Sequence, residues 1–202
     1  MSSRHGRFAV SDYVRSGEGV LFMKIGAHAR EALADIIARK LEEIRRTGFG
    51  MWGYGGNTCH PTSMVQPFAH SFAQRGQTIH LWMQEMKSNH FAEPSAAAEY
   101  STDGIIWQKI PDTIEVRGSR YALIIDSLSE ERFSLPLDQT QVSVGRSKGR
   151  LGSKYVQGRV DKACLELVDA PQLPNQGNPV TAQINLVAKL RDPYAVFLRG
   201  ER

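Results

Sequence analysis

Val180–Leu198 reads VTAQINLVAKLRDPYAVFL. Val180, Ala182, Ile184, Leu186, Ala188 and Leu190 recur at every second position, the period of a strand that buries one face. Tyr194–Leu198 is aromatic and β-branched, so the two pieces read as a pair of closing strands. The loop before them, Ala170–Pro179, holds three prolines, two asparagines and a glycine and reads as exposed. Further upstream the same grammar repeats. Thr113–Arg117, Tyr121–Leu128 and Phe133–Leu137 read as strands, with Ser129-Glu130-Glu131 as the turn of a hairpin. Gln141–Val144 reads as a further strand, and Val160–Val168 as a strand or short helix around Cys164.

Asp103-Gly104 lies between two strand-like arms, which is the strongest short-range hairpin signal. The string Ser101-Thr-Asp-Gly-Ile-Ile-Trp107 resembles the Asp-box hairpin of sialidase-type propeller blades. The chain carries one copy, whereas propellers are built from repeats. The resemblance therefore implies local hairpin chemistry and no propeller.

The N-terminal half is written differently. Gly19–Ile25 (GVLFMKI) is a short apolar run, the mark of a buried strand. From Ala27 to Arg46 the pattern is helical: Leu33, Ile36, Ile37, Leu41 and Ile44 form one apolar stripe. Asp35–Arg39 and Glu42–Arg46 are acid-before-base pairs four apart. Arg45 and Arg46 suit the C-terminal turn, and Gly48 suits its close. Pro67–Arg75 reads as a short helix with Phe68 and Phe72 on one edge, Thr78–Met86 as an alternating strand and Lys87–Ala98 as loop. The fold class expected is α+β: an N-terminal strand and two helices packed on a mostly antiparallel, hairpin-rich sheet or partly closed barrel. Residues 1–18 read as a partly ordered arm and 19–202 as one domain.

Twenty-five Lys and Arg against 21 Asp and Glu give a net charge of +4 in 202 residues. That mild excess suits nucleic acid or a phosphorylated partner without requiring one. Met1–Val10 lacks the apolar core of a signal peptide, and no run reaches the ~18 apolar residues that span a bilayer. With two cysteines, Cys59 and Cys164, the expectation is a soluble cytoplasmic protein with free thiols and no membrane partner.

Two segments are candidates for function. Gly48–Pro61 packs five glycines into nine residues among Phe49, Met51, Trp52 and Tyr54, and continues through Asn57, Cys59 and His60. It lacks both nucleotide-loop fingerprints, so it suits the wall of a pocket in which Trp52 and Tyr54 stack on a flat ring and Asn57 supplies a polar contact. Gly145–Lys162 holds six of the 25 basic residues, with Asp161 its only acid. Arg146, Lys148, Arg150, Lys154, Tyr155 and Arg159 would there contact phosphate. Together the segments point to a nucleic-acid or phosphorylated-nucleotide binding domain. The alternative is an enzyme acting on a small or nucleotide-like substrate at Gly48–Pro61, with Cys59 or His60 chemically active. Histidine and cysteine spacing gives no zinc pattern, and no cofactor is expected.

Overall fold

The computed structural model describes residues 16–90, 92–157, 160–168 and 180–201. Residues 1–15 of the expected N-terminal arm (1–18), Arg159 and the Ala170–Pro179 loop lie outside the described residues, while Gly17 and Glu18 bond Leu167 through their backbone. Strand β1 (Gly19–His28) leads into helix α1 (Leu33–Thr47), then strand β2 (Gly50–Tyr54). One π-helical turn (Pro61–Val65) and helix α2 (Gln66–Ala73) lead to β3 (His80–His90). The hairpin β4 (Glu99–Ser101) and β5 (Gln108–Lys109) precedes the long strand β6 (Tyr121–Pro136). After β7 (Thr140–Val142) come a one-turn helix, α3 (Gly152–Tyr155), then β8 (Lys162–Leu167) and β9 (Thr181–Arg199).

These strands form one mixed sheet in the order β2-β6-β9-β3-β1-β8-β7, with β4 on the far half of β9 and β5 on β4. Among the described residues only β1 and β3 run parallel, Val20 opposite His80. The sheet does not close: β2 and β7 end it, so the barrel alternative is set aside. The apolar run in β1 is explained by burial on both faces. Leu21, Met23 and Ile25 enter the cluster beneath the helices, while Val20 and Phe22 enter a second cluster with Trp82, Leu135 and Leu165.

Several expectations need correction, among them the loop over Lys87–Ala98, whose start is the end of β3 (His80–His90). Val180–Leu198 is one strand, because Pro193 lies where pairing is interrupted. Ile125 faces Leu190 and Leu123 faces Ala195, so Arg191–Tyr194 bulge out of the ladder. A bulge is where a residue without an N–H is tolerated inside a strand. Likewise Ser129-Glu130-Glu131 is no hairpin turn but the start of a bulge in continuous β6, where Glu130 faces Leu186 and Phe133 faces Ile184. Thr113–Arg117 is irregular apart from one bridge, Arg117 to Ala96, and is tied down by bonds such as Ala97 N–H to Val116 O, 2.8 Å. The part of Gly48–Pro61 expected as loop begins with strand β2, whose Gly53 permits close approach. A Cβ there would sit 2.4 Å from Ser119 Oγ and 2.7 Å from Val116 Cγ1.

Helix α1 starts later than the periodicity suggests, because β1 continues to His28 and a two-residue turn intervenes. Ala29 and Arg30 carry that turn at φ 50° and 64°. Glycine or asparagine is usual at such positions. Gly48, in the left-handed region, ends the helix as expected, its N–H reaching Ile44 O. The apolar stripe holds at Leu33, Ile36, Ile37 and Ile44, but Leu41 is 45% exposed. The fully buried side chains of α1 are instead an ion pair, Lys40 and Glu43. Among the described residues no helix is long and apolar enough to cross a membrane.

Candidate functional site

A cavity of about 1030 Å³ opens beside the C-terminal ends of the parallel pair β1 and β3. That location, outside the carboxyl ends of parallel strands, is where mixed α/β sheets commonly place ligands. Its walls are the end of β1, one side of α1, the segment Glu115–Arg120, the first residues of β8, and Trp52–Thr58. The apolar part comes from Met23, Ile25, Ile36, Trp52, Met86 and Val116.

The floor is built from charge. Lys40 Nζ donates to both carboxylate oxygens of Glu43 at 2.9 Å and to Glu115 O at 2.7 Å. Glu43 Oε1 in turn accepts the Glu115 N–H at 3.0 Å. Arg39 bonds Glu31, Glu43 and the Glu115 carbonyl. A helix surface is thereby stitched to an irregular segment whose backbone is also tied to Ser95, Ala96 and Ala97. Burial pushes the Lys40 ammonium down to about 8, with Glu43 opposing the change. Burial works against the Glu31 carboxylate as well, but the Arg39 bond and charge outweigh it and hold Glu31 below its ordinary value.

Cations outnumber anions on the walls: Lys24, Arg39, Lys40, Arg117, Arg120 and Lys162 against Glu31, Glu115 and Asp161. Arg39 and Lys40 are committed to the floor and Arg117 pairs with Glu115. Lys24 and Arg120 have no acidic partner among the described residues. Two contacts bring Arg120 and Lys162 to the glycine segment, and a third ties Lys24 to the residue before Lys162. The Arg120 N–H bonds Tyr54 O at 3.2 Å, and the Lys24 N–H bonds Asp161 O at 2.8 Å. Lys162 Nζ lies 3.6 Å from where a Cβ on Gly56 would sit.

The residues expected from sequence fall into three groups. Trp52, Tyr54 and Asn57 line the cavity. Trp52 and Tyr54 are buried core residues, though, and the Tyr54 hydroxyl is spent on Cys59 O at 2.7 Å. Burial, with the neighbouring thiols, raises that phenol well above its ordinary value. Cys59 and His60 stand behind the wall and are not among the lining residues. Cys59 is buried at φ 57°, its Sγ 3.8 Å from Cys164 Sγ, and both thiols are free. The bond to Cys59 and burial raise the Cys164 thiol well above its usual value. The His60 ring packs edge-on to Tyr121 and Phe197, with centroids 5.6 and 5.3 Å away.

The basic run divides. Arg146, Lys148, Arg150 and Lys154 are exposed on the connection between β7 and α3 or on α3 itself, and none lines the cavity. Tyr155 is half-buried against the second apolar cluster, and Arg159 lies outside the described residues. Among the described residues of the run, Val160, Asp161 and Lys162 line the cavity. Sequence reasoning missed Lys24, Arg120 and the Lys40–Glu43 floor. Lys24 had a signal: it is the single charge inside the apolar run of β1. No such signal marks Arg120.

Compared with models of known protein families, with curated proteins and with solved structures, the chain matches none. Among the described residues no group of three or more His, Cys, Asp or Glu could hold a metal ion.

Proposed function

We propose that this chain binds a phosphorylated, nucleotide-sized ligand in the cavity between α1, β1 and the glycine-rich segment. One observation carries the proposal: a cavity of about 1030 Å³ joins an apolar wall to a cationic one. Its volume is at the upper end of the ~300–1,000 Å³ usual for small-molecule sites. The apolar wall suits a flat, weakly polar body, and the surplus of positive charge suits an anionic end. A single small ligand is favoured over a nucleic-acid strand. Arg146, Lys148 and Arg150 are exposed and do not line the cavity, so the charge that a strand would follow is not part of its walls.

The test is thermal melting with the four 5′-mononucleotides, ATP and single-stranded RNA and DNA oligonucleotides, each at low and moderate salt. A mononucleotide at 100 times its Kd contributes about 2.7 kcal/mol, or a rise of about 5–10 °C for a chain of this size. The rise is expected to shrink in Lys24→Gln and Arg120→Gln. No shift with any nucleotide at millimolar concentration contradicts the proposal. So does oligonucleotide binding that depends on Arg146, Lys148 and Arg150 while ignoring both cavity substitutions.

A further inference from the structure

Resting on that function, we propose that Gly55–Thr58, together with Lys162 and Arg120, forms the subsite for a phosphate monoester, the anionic end of the ligand. Buried backbone N–H groups nearly all find an acceptor, and exposed ones are met by water that an anion can displace. Those of Gly55, Gly56, Asn57, Thr58 and Cys59 have none among the described residues. Neither do the side chains of Asn57 and Thr58. Four of these five residues line the cavity, so a row of unused donors borders the space a ligand would fill.

Lys162 supplies the fixed charge. Its side chain is 7% exposed, and Nζ has one carboxylate partner, Asp161 Oδ1 at 2.6 Å. An ammonium has three hydrogens to give, so two find no acceptor among the described residues at a buried position. The ammonium stands close to the backbone at Gly56. The φ of 87° at Gly56 is a left-handed conformation that favours glycine, and a Cβ there would stand 3.6 Å from Nζ, ordinary contact distance. Successive N–H groups around a left-handed residue make a concave anion site, which a neighbouring cation strengthens. Arg120 begins next to Tyr54 and carries a guanidinium without an acidic partner among the described residues.

The number of donors selects the anion. Four lining amides, an ammonium and a guanidinium exceed what the two oxygens of a carboxylate accept, while a phosphate monoester presents three terminal oxygens. Asp161 is the competing group. Its carboxylate already occupies one hydrogen of Lys162 and repels an incoming dianion.

Titration calorimetry on the full chain decides the matter, using the four 5′-mononucleotides, the corresponding nucleosides and inorganic phosphate. The expected result is that one mononucleotide binds at least about tenfold more tightly than its nucleoside, and that inorganic phosphate competes with it. Lys162→Gln and Arg120→Gln are expected to weaken the nucleotide by about 10–100-fold each and leave the nucleoside unchanged. Asp161→Asn is expected to tighten the nucleotide, which a merely structural Lys162–Asp161 pair would not do. If Lys162→Gln fails to fold, Arg120→Gln and Asp161→Asn still carry the test. Equal affinity for nucleotide and nucleoside overturns the phosphate subsite and leaves the cavity's ligand class standing. Phosphate binding without nucleotide binding overturns the proposed function and leaves the subsite. Absence of binding by all three probes overturns both.

Discussion

Replacing Lys40 by Met removes the ammonium on which the cavity floor is hung. Lys40 and Glu43 are each 2% exposed. All three Lys40 hydrogens are used, two on Glu43 and one on the Glu115 carbonyl. Breaking a buried pair from one side costs about 3–5 kcal/mol. Glu43 keeps Arg39 and the Glu115 N–H as partners, so Lys40→Met is expected near about 3 kcal/mol. Removing both charges in Lys40→Met/Glu43→Leu leaves no stranded carboxylate. That double variant is expected to fall within about 2 kcal/mol of the unmodified chain, the remaining loss being the orphaned Glu115 N–H. The pair also sets a pH dependence. In the folded chain Lys40 titrates near 8, against 10.5 when unburied. Between those values the unfolded chain binds the proton and the folded chain does not, so stability rises with pH across that window. The gain from this one group is on the order of 2–3 kcal/mol, and it vanishes in Lys40→Met. Urea denaturation at pH 7 and pH 10 measures both effects. Single variants within about 1 kcal/mol of the unmodified chain, or a double variant equal to the sum of the singles, refute the description of the floor.

Other expectations concern backbone strain, thiols and the hairpin. Arg30 is exposed at φ 64°, so Arg30→Gly should relieve about 1–2 kcal/mol of strain against about 0.5–1 of added unfolded-state freedom. A net gain of up to about 1 kcal/mol is expected in urea melts, and a loss larger than half of that counts against it. Cys59 and Cys164 are 1% and 0% exposed, so both should alkylate far more slowly than an unfolded thiol and accelerate together in denaturant; rapid reaction of native Cys59 contradicts the burial. Asp103 Oδ1 accepts the N–H groups of Ile105 and Ile106 and the Ser101 hydroxyl. The Ile105 and Ile106 amides and then Ser101 hold that carboxyl below its ordinary value. Its contribution to the hairpin is present above the normal Asp range and disappears as pH falls through the lowered value. Asp103→Ala should therefore speed amide exchange at Ile105 and Ile106, and unchanged exchange contradicts the geometry.

The sequence periodicity located most elements, and its failures share one physical cause. Strands and helices announce themselves by local spacing, whereas bulges and close approaches depend on partners distant in the chain. Ser129-Glu130-Glu131 looks like a turn because it is polar, yet β9 alongside holds it extended. Arg191-Asp-Pro-Tyr194 looks like a break, yet the ladder resumes beyond it on the same strand. Gly53 is legible as flexible but is needed for the space it leaves to Ser119 and Val116. At the site, the glycine-rich segment was legible and so was the end of the basic run at Lys162. The exposed part of that run, Arg146–Lys154, carries the stronger compositional signal and lies away from the cavity. Charge density in a sequence reports solvation as readily as a partner, because both favour exposed Lys and Arg. Arg120 and the Lys40–Glu43 pair were illegible, since each acquires its role only when Glu115–Arg120 crosses α1 and β2.

The most direct measurement is a two-dimensional ¹H–¹⁵N titration of the labelled chain with the 5′-mononucleotide that raises its melting temperature most. Saturable shifts are expected at the amides of Gly55, Gly56, Asn57 and Thr58, with smaller ones at Lys24, Arg120 and Lys162 around the same cavity. Shifts confined to Arg146–Lys154, or none at any mononucleotide concentration, would contradict a phosphorylated ligand in this cavity.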